Sequence, residues 1–408
     1  MRRTTLTAAG LLGLALLAPT TVSGPASAAA ETCQGRPATV VGTADRPVAG
    51  TDGPDVVVSN GATRVDTLGG DDLVCISGER HPYLLVDTGA GNDAVDGTGS
   101  PRQAVFATLG TGADSFLGGG AEDRITVSYP DATSATATSA TADVVDGGEG
   151  SDTLFLTTGP GSAVVDNVAG RFTSDGVVRT TWSGLEEFWT GASTEPRPLT
   201  FVGSDADEVV VDRSRVPSQV DVALGRGDDT FRTGVAPLEG SRVQGGSGRD
   251  LLGVTSVDVA LEVDLKRYRI VVDAPTSYRV IVPDFEDAEV VAPELLLRGD
   301  PDRNTLGFTA CRAVVKGREG GDTIRRTYDP IFEPDLDCQE SARIDGGPGA
   351  DAITGTRGND VVAGNDGRDV LRGGNGTDRL TGGGDRDRAD GGLGRDRCAA
   401  ERERRCER

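Results

Sequence analysis

Histidine is almost missing from this 408-residue chain: His81 stands alone, beside a single methionine and two tryptophans. One imidazole cannot supply the H-E-x-x-H pair of a zinc protease. The string G-x-S-x-G, the nucleophile elbow of lipases, does not occur either. Aromatic residues make up 4% and hydrophobic residues 36%, too lean for a thick globular core over such a length. Past residue 30 no run approaches the roughly 20 apolar residues of a membrane span. Basic residues are outnumbered as well: 41 Lys and Arg against 64 Asp and Glu leave −23, which argues against nucleic acid and for cations or plain solubility.

What is present begins with an export-type leader at 1–30. Arg2 and Arg3 form its charged start, Leu6 to Leu17 its apolar stretch and Ala26-Ser27-Ala28 its small-residue cleavage signal. Its removal predicts a secreted, extracellular, soluble chain starting near residues 29–31. Six cysteines fall into sequence-local couples, Cys33 with Cys75, Cys311 with Cys338 and Cys398 with Cys406. Six cysteines allow about 15 connectivities, so this neighbour pairing is an expectation; an oxidising compartment favours disulfides.

Glycine is abundant, at 59, and it is periodic. From Gly346 the chain divides into six nonapeptides, GGPGADAIT, GTRGNDVVA, GNDGRDVLR, GGNGTDRLT, GGGDRDRAD and GGLGRDRCA, ending at Ala399. Position six is aspartate in every one: Asp351, Asp360, Asp369, Asp378, Asp387 and Asp396. A disordered linker has no reason to hold that register. Glycines at positions one, two and four permit positive φ and leave carbonyls exposed, while aspartate adds a hard anionic oxygen of the kind Ca²⁺ prefers.

The pattern resembles the RTX, or haemolysin-type, calcium-binding repeat, G-G-x-G-x-D-x-U-x with U a large aliphatic. That resemblance implies an all-β fold, a parallel β-roll or β-helix solenoid with stacked calcium-binding turns. Two nonapeptides then make one coil, so Asp351 lies beside Asp369 and Asp360 beside Asp378. Position eight, at Ile353, Val362, Leu371 and Leu380, points inward. Several Ca²⁺ ions are the implied cofactor, and binding becomes coupled to folding.

Upstream the unit recurs at longer intervals, on Asp55, Asp72, Asp93, Asp114 and Asp123, then on Asp152, Asp229, Asp250 and Asp322. Steps of 21 residues suggest one calcium turn per rung of a wider parallel β-helix, its aspartates along one edge. A longer duplication repeats after about 98 residues, with Glu208 and Asn304 standing where aspartate belongs in its two last turns. The expected organisation is therefore a leader at 1–30, an RTX-like solenoid at 31–126, irregular rungs at 127–345, a regular roll at 346–399 and a cap at 400–408. The insert at 131–142, DATSATATSATA, reads as a flexible loop. Cys33–Cys75 and Cys398–Cys406 are expected to close the two open ends.

Departures temper the pattern. Residues 346–399 hold nine Asp and eight Arg. Arg368, Arg379, Arg386, Arg388, Arg395 and Arg397 flank the aspartates and are expected to face solvent; affinity is expected at about 10⁻⁴ to 10⁻³ M. Asp385 replaces a position-four glycine, and Ala389 and Cys398 replace stacking aliphatics. No catalytic residues are assigned. Glu186-Glu187 and Glu286-Asp287 are the acidic pairs outside the turns, and Trp182 and Trp189 read as core aromatics before sugar platforms. The overall expectation is a non-enzymatic, monomeric calcium-binding solenoid with an envelope or adhesion role, a polysaccharide-binding module being the rival and a lyase or epimerase the third.

Overall fold

The computed structural model describes residues 31–129, 142–158, 161–191, 196–328, 331–332 and 336–407. The leader at 1–30, and all of the 131–142 insert except Ala142, lie outside these residues. Among the described residues no helix is long and apolar enough to cross a membrane. The one helical element among them is a single 3₁₀ turn, Leu265–Arg267.

Everything else is strand and turn. Parallel strands stack into two facing walls, wall A running from Pro47–Ala49 to Arg402–Arg404 and wall B from Val40–Val41 to Arg397–Ala399. In the nonapeptide region Ala352 pairs with Val370 and Val361 with Arg379, a step of 18 residues, so alternate repeats lie side by side. Side chains alternate across each strand. Ile353 and Leu371 from wall A therefore meet Val362 and Leu380 from wall B in one buried interior. That interior continues upstream through Phe116, Phe188, Phe201, Phe231 and Phe308.

The upstream coils are two-walled as well, which corrects the expectation of wider rungs. In a 21-residue coil the three residues beyond 18 do not build a third wall. They go into the half-coil that lacks aspartate, lengthening both its connection, 76–82, and its strand, Tyr83–Asp87. His81 sits on that connection, 3.1 Å from Asp45.

The duplication has a definite structural content. Ala163–Asp166, Arg171–Ser174 and Val177–Ser183 form an antiparallel meander spliced into wall B, and Ala260–Asp264, Arg269–Asp273 and Tyr278–Ile281 form a second. Both outer strands of each meander rejoin the parallel stack. The first turns through Gly170 at φ 57° and the second through Tyr268 at φ 54°, so a left-handed residue reverses the chain in both.

All three cysteine couples are joined. Cys33–Cys75 does not close the open end. It pins the hairpin of Thr32–Cys33 and Arg36–Pro37 to the outer side of wall B, over Val56, Val58 and Leu73. Three consecutive valines at 56–58 force two of them outward, and the hairpin covers them. At the far end Cys398–Cys406 closes the chain around a last strand, Arg402–Arg404, whose exposed charged residues blunt the sheet edge.

Deleting an inward aliphatic leaves a cavity in a core only two side chains thick. Leu371→Ala or Leu380→Ala should cost about 2–5 kcal/mol. The outward Arg372→Ala should stay within about 0.5 kcal/mol. Denaturant unfolding in saturating calcium measures both.

Candidate metal centre

In the regular roll each six-residue turn ends on a buried aspartate, and most of these do two different things with their two oxygens. Asp369 Oδ1 accepts a hydrogen bond from the Asp351 amide at 2.8 Å, Asp387 Oδ1 from the Asp369 amide at 2.9 Å, and Asp378 Oδ1 from the Asp360 amide at 2.9 Å. One carboxylate oxygen thus ties every coil to the one before it. The other oxygen, Oδ2, is buried without a hydrogen-bond partner in Asp351, Asp369, Asp378, Asp387 and Asp396.

Those oxygens face a glycine cradle. A Cβ added to Gly364 would collide with Asp369 Oδ2 and lie 2.7 Å from the Gly382 carbonyl oxygen of the next coil. Gly355 and Gly373 are bounded in the same way by Asp360 and Asp378. In the fourth repeat Gly374 and Gly376 hold φ of 118° and 117°, a conformation open to glycine and costly for most side chains. Asp385, at a position-four site, adopts φ 71°, which aspartate tolerates.

The turns form two columns on opposite edges, not the single edge expected. One column, between wall A and wall B, carries Asp55, Asp72, Asp93 and Asp114, linked by amide bonds of 2.8–2.9 Å. It resumes with Asp360, Asp378 and Asp396. The other begins at Asp123 and runs through Asp152, Asp229, Asp250, Asp322, Asp351, Asp369 and Asp387. The acidic edge therefore changes sides near residues 114–123. The two columns overlap there, Asp114 and Asp143 on one edge facing Asp123 and Asp152 on the other, and the regular roll is acidic on both edges throughout.

Six further residues stand in the columns and were not assigned to them: Asp143, Glu186, Glu208, Glu286, Asn304 and Glu401. Asp143 accepts from the Asp114 amide at 3.0 Å. Glu186, Glu286 and Glu401 accept from the amides of Asp152, Asp250 and Asp387 at 3.0, 2.9 and 2.8 Å. These three follow shortened turns, 184–186, 282–286 and 400–401. The extra methylene of glutamate makes up the reach. Glu208 ends a full turn, keeps a buried unpartnered Oε2, and is a column member rather than a degraded one. In the middle of the molecule the first column turns neutral: Ser218 and Ser241 hydroxyls accept from the amides of Arg197 and Val220.

Not every carboxylate is open. The Asp360 oxygens accept from the Thr356 amide and hydroxyl, and Asp55 Oδ2 accepts from those of Thr51 at 2.7 and 2.9 Å. Thr39 caps the first coil by donating its hydroxyl to Asp55 Oδ1. The flanking arginines Arg368, Arg379, Arg386, Arg388, Arg395 and Arg397 are exposed. Among the described residues none of them forms an ion pair with a column aspartate.

Burial is the first cause that raises seven of the column acids, and charge on neighbouring acids adds to it against the opposing amide bond. Asp114, Asp152, Asp229, Asp351 and Asp378 are pushed up to about 7, and Asp93 and Asp322 to about 6. Burial also raises Asp55, but hydrogen bonds from Thr39 and Thr51 outweigh it and leave that group lowered.

Among the described residues no three His, Cys, Asp or Glu side chains could hold a metal ion by themselves. The donors on offer are one carboxylate per turn together with stacked glycine carbonyls, all hard oxygens. That set suits Ca²⁺. Glu186 and Glu286 are taken up in the column, and Trp182 is buried, donating to Asn167. Trp189 packs between Phe155 and Arg213.

A family model for the RTX calcium-binding nonapeptide repeat, in four copies, matches residues 138–159, 345–380 and 363–398. No curated protein matches the chain.

The raised acids set the pH dependence of the ion-free protein. A folded pKa near 7 against an ordinary value near 3.8 means the folded state binds more protons between those values, so stability is fullest below pH 4 and is lost as pH rises through 7. Calorimetry on decalcified protein should show Tm falling from pH 5 to pH 8. In saturating calcium the trend should reverse, because protons then compete with the ion.

Proposed function

We propose, from the premise that this is an RTX-type calcium-binding repeat protein, that it is exported and that its roll folds and stiffens on extracellular calcium. The observation that carries this reading is the repeated buried oxygen without a partner beside a glycine cradle. Without a cation, stacked carboxylates about 4.8 Å apart repel, and each buried orphan oxygen costs folding free energy. The turns are then loosened at their own charge. When bound, calcium supplies the positive charge and the coordination that these oxygens lack.

The residues proposed to hold it are Asp351, Asp369, Asp378, Asp387 and Asp396 in the roll. Upstream they are Asp72, Asp93, Asp114, Asp152, Asp229, Asp250 and Asp322, with Asp55, Asp123 and Asp360 partly satisfied by their own turns. A rod of this kind suits a structural, envelope or adhesion role, working as a monomer without a catalytic step. Three disulfides and a cleavable leader support export to an oxidising compartment.

Far-UV circular dichroism and calorimetry test the proposal directly. Calcium should raise strand content and Tm, and magnesium should substitute poorly, since it demands tighter octahedral geometry. Asp369→Ala together with Asp378→Ala should lower the calcium-saturated Tm by more than the ion-free Tm, which loses only the two amide hydrogen bonds. An unaltered calcium response in that variant would remove the roll from the proposal.

A further inference from the structure

Position two of the turn is most often glycine, but Thr51, Leu68, Thr356 and Asn365 also stand there, Leu68 and Asn365 at positive φ. In GREGGD, residues 317–322, Arg318 occupies that position at φ 84°, a left-handed conformation that costs an arginine energy. The strain is matched by what the side chain reaches. Arg318 Nη1 donates to the Gly299 carbonyl of the preceding turn at 2.5 Å, and Nη2 donates to both carboxylate oxygens of Asp264 at 2.9 and 3.0 Å. Asp264 is fully buried, at the end of the first strand of the second meander.

The facing column residue is Asn304, an amide where the column otherwise has an acid. Its Oδ1 accepts from the Asp300 amide at 2.8 Å, and its Nδ2 donates to the Glu286 carbonyl at 2.7 Å and to Asp300 Oδ1 at 2.9 Å. At this junction, turn 299–304 against turn 317–322, the earlier turn therefore offers no carboxylate in its column position, Asp322 Oδ2 stays unpartnered in the later one, and a positive group sits on a turn carbonyl. The corresponding junction of the first copy differs on both counts. Gly225 holds position two there, and Glu208 keeps a buried unpartnered oxygen.

We infer that Arg318 is a resident cation: its guanidinium does between turns 299–304 and 317–322 what a bound ion does between other turns, and Asp287–Arg298 and Thr305–Lys316 stay folded without calcium. The inference rests on the calcium reading above for its contrast. It makes the second meander and the two 12-residue strands beside it a permanently ordered segment. The regular roll that follows acquires order from this segment outward when the ion arrives.

Hydrogen exchange with mass spectrometry, on the whole protein in calcium and after chelation, tests it. In the wild type, 305–316 should remain protected after chelation while 352–376 loses protection. Arg318→Met keeps the apolar stem but removes the charge, and should abolish the chelation-resistant protection of 305–316. The double variant Arg318→Gly with Asn304→Asp restores the repeat consensus. It should lose protection on chelation, regain it in calcium, and bind one more ion per chain by titration calorimetry than the wild type. Retained protection in chelated Arg318→Met, or a double variant that binds no additional ion, would overturn the inference. Equal protection of 352–376 with and without calcium would instead sink the calcium reading of the roll, and the Arg318→Met comparison would still decide the role of the arginine.

Discussion

The fold depends on one hydrogen bond repeated along two edges: a buried carboxylate oxygen accepting the backbone amide of the same turn position in the neighbouring coil. That bond sets the register of each coil against the next and explains why an acid, rather than any polar residue, ends each turn. An ionised acceptor makes a stronger bond to an amide than a neutral one. The acid must then be buried, and its second oxygen goes into the interior of the turn with nothing to bond. Stability of the stack and its demand for a counter-charge come from the same side chain.

Where that demand is high, the chain varies how it is met. Thr51 and Thr356 close their own aspartates with a hydroxyl and an amide. Ser218 and Ser241 replace the acid with a neutral acceptor. Asn304 with Arg318 balances a junction inside the protein. The regular roll has little of this relief, with open oxygens on both edges. Its many arginines do not supply it, since they project from the outer surface.

Much of this was legible in the sequence, for a physical reason. The aspartate register followed from spacing, and the stacking of alternate repeats and the inward position eight followed from the resemblance to a repeat with a six-residue turn and a three-residue strand. Two features did not follow. Spacing cannot tell which of two opposite corners a turn occupies, so Asp114 and Asp123, nine residues apart, read as one edge although they belong to different columns. Nor does a motif anchored on a six-residue turn find Glu186, Glu286 or Glu401, because there the loop is cut short and a longer side chain restores the reach. The only signal was the paired acids themselves, Glu186-Glu187 and Glu286-Asp287, which invite a catalytic reading until their amide partners are known.

The acid columns also separate two quantities that are usually proportional, the number of residues spent and the distance gained. Between Asp250 and Glu286 the chain uses 36 residues to advance one rung, meander included. Between Asp387 and Glu401 it uses 14 for the same rung. The surplus adds no rung to the acid column, while its three strands lie within wall B between Arg242–Ser247 and Asp287–Arg298. Residues can thus be added between turns without adding a step to the acid column, and that edge is counted in carboxylates, not in amino acids.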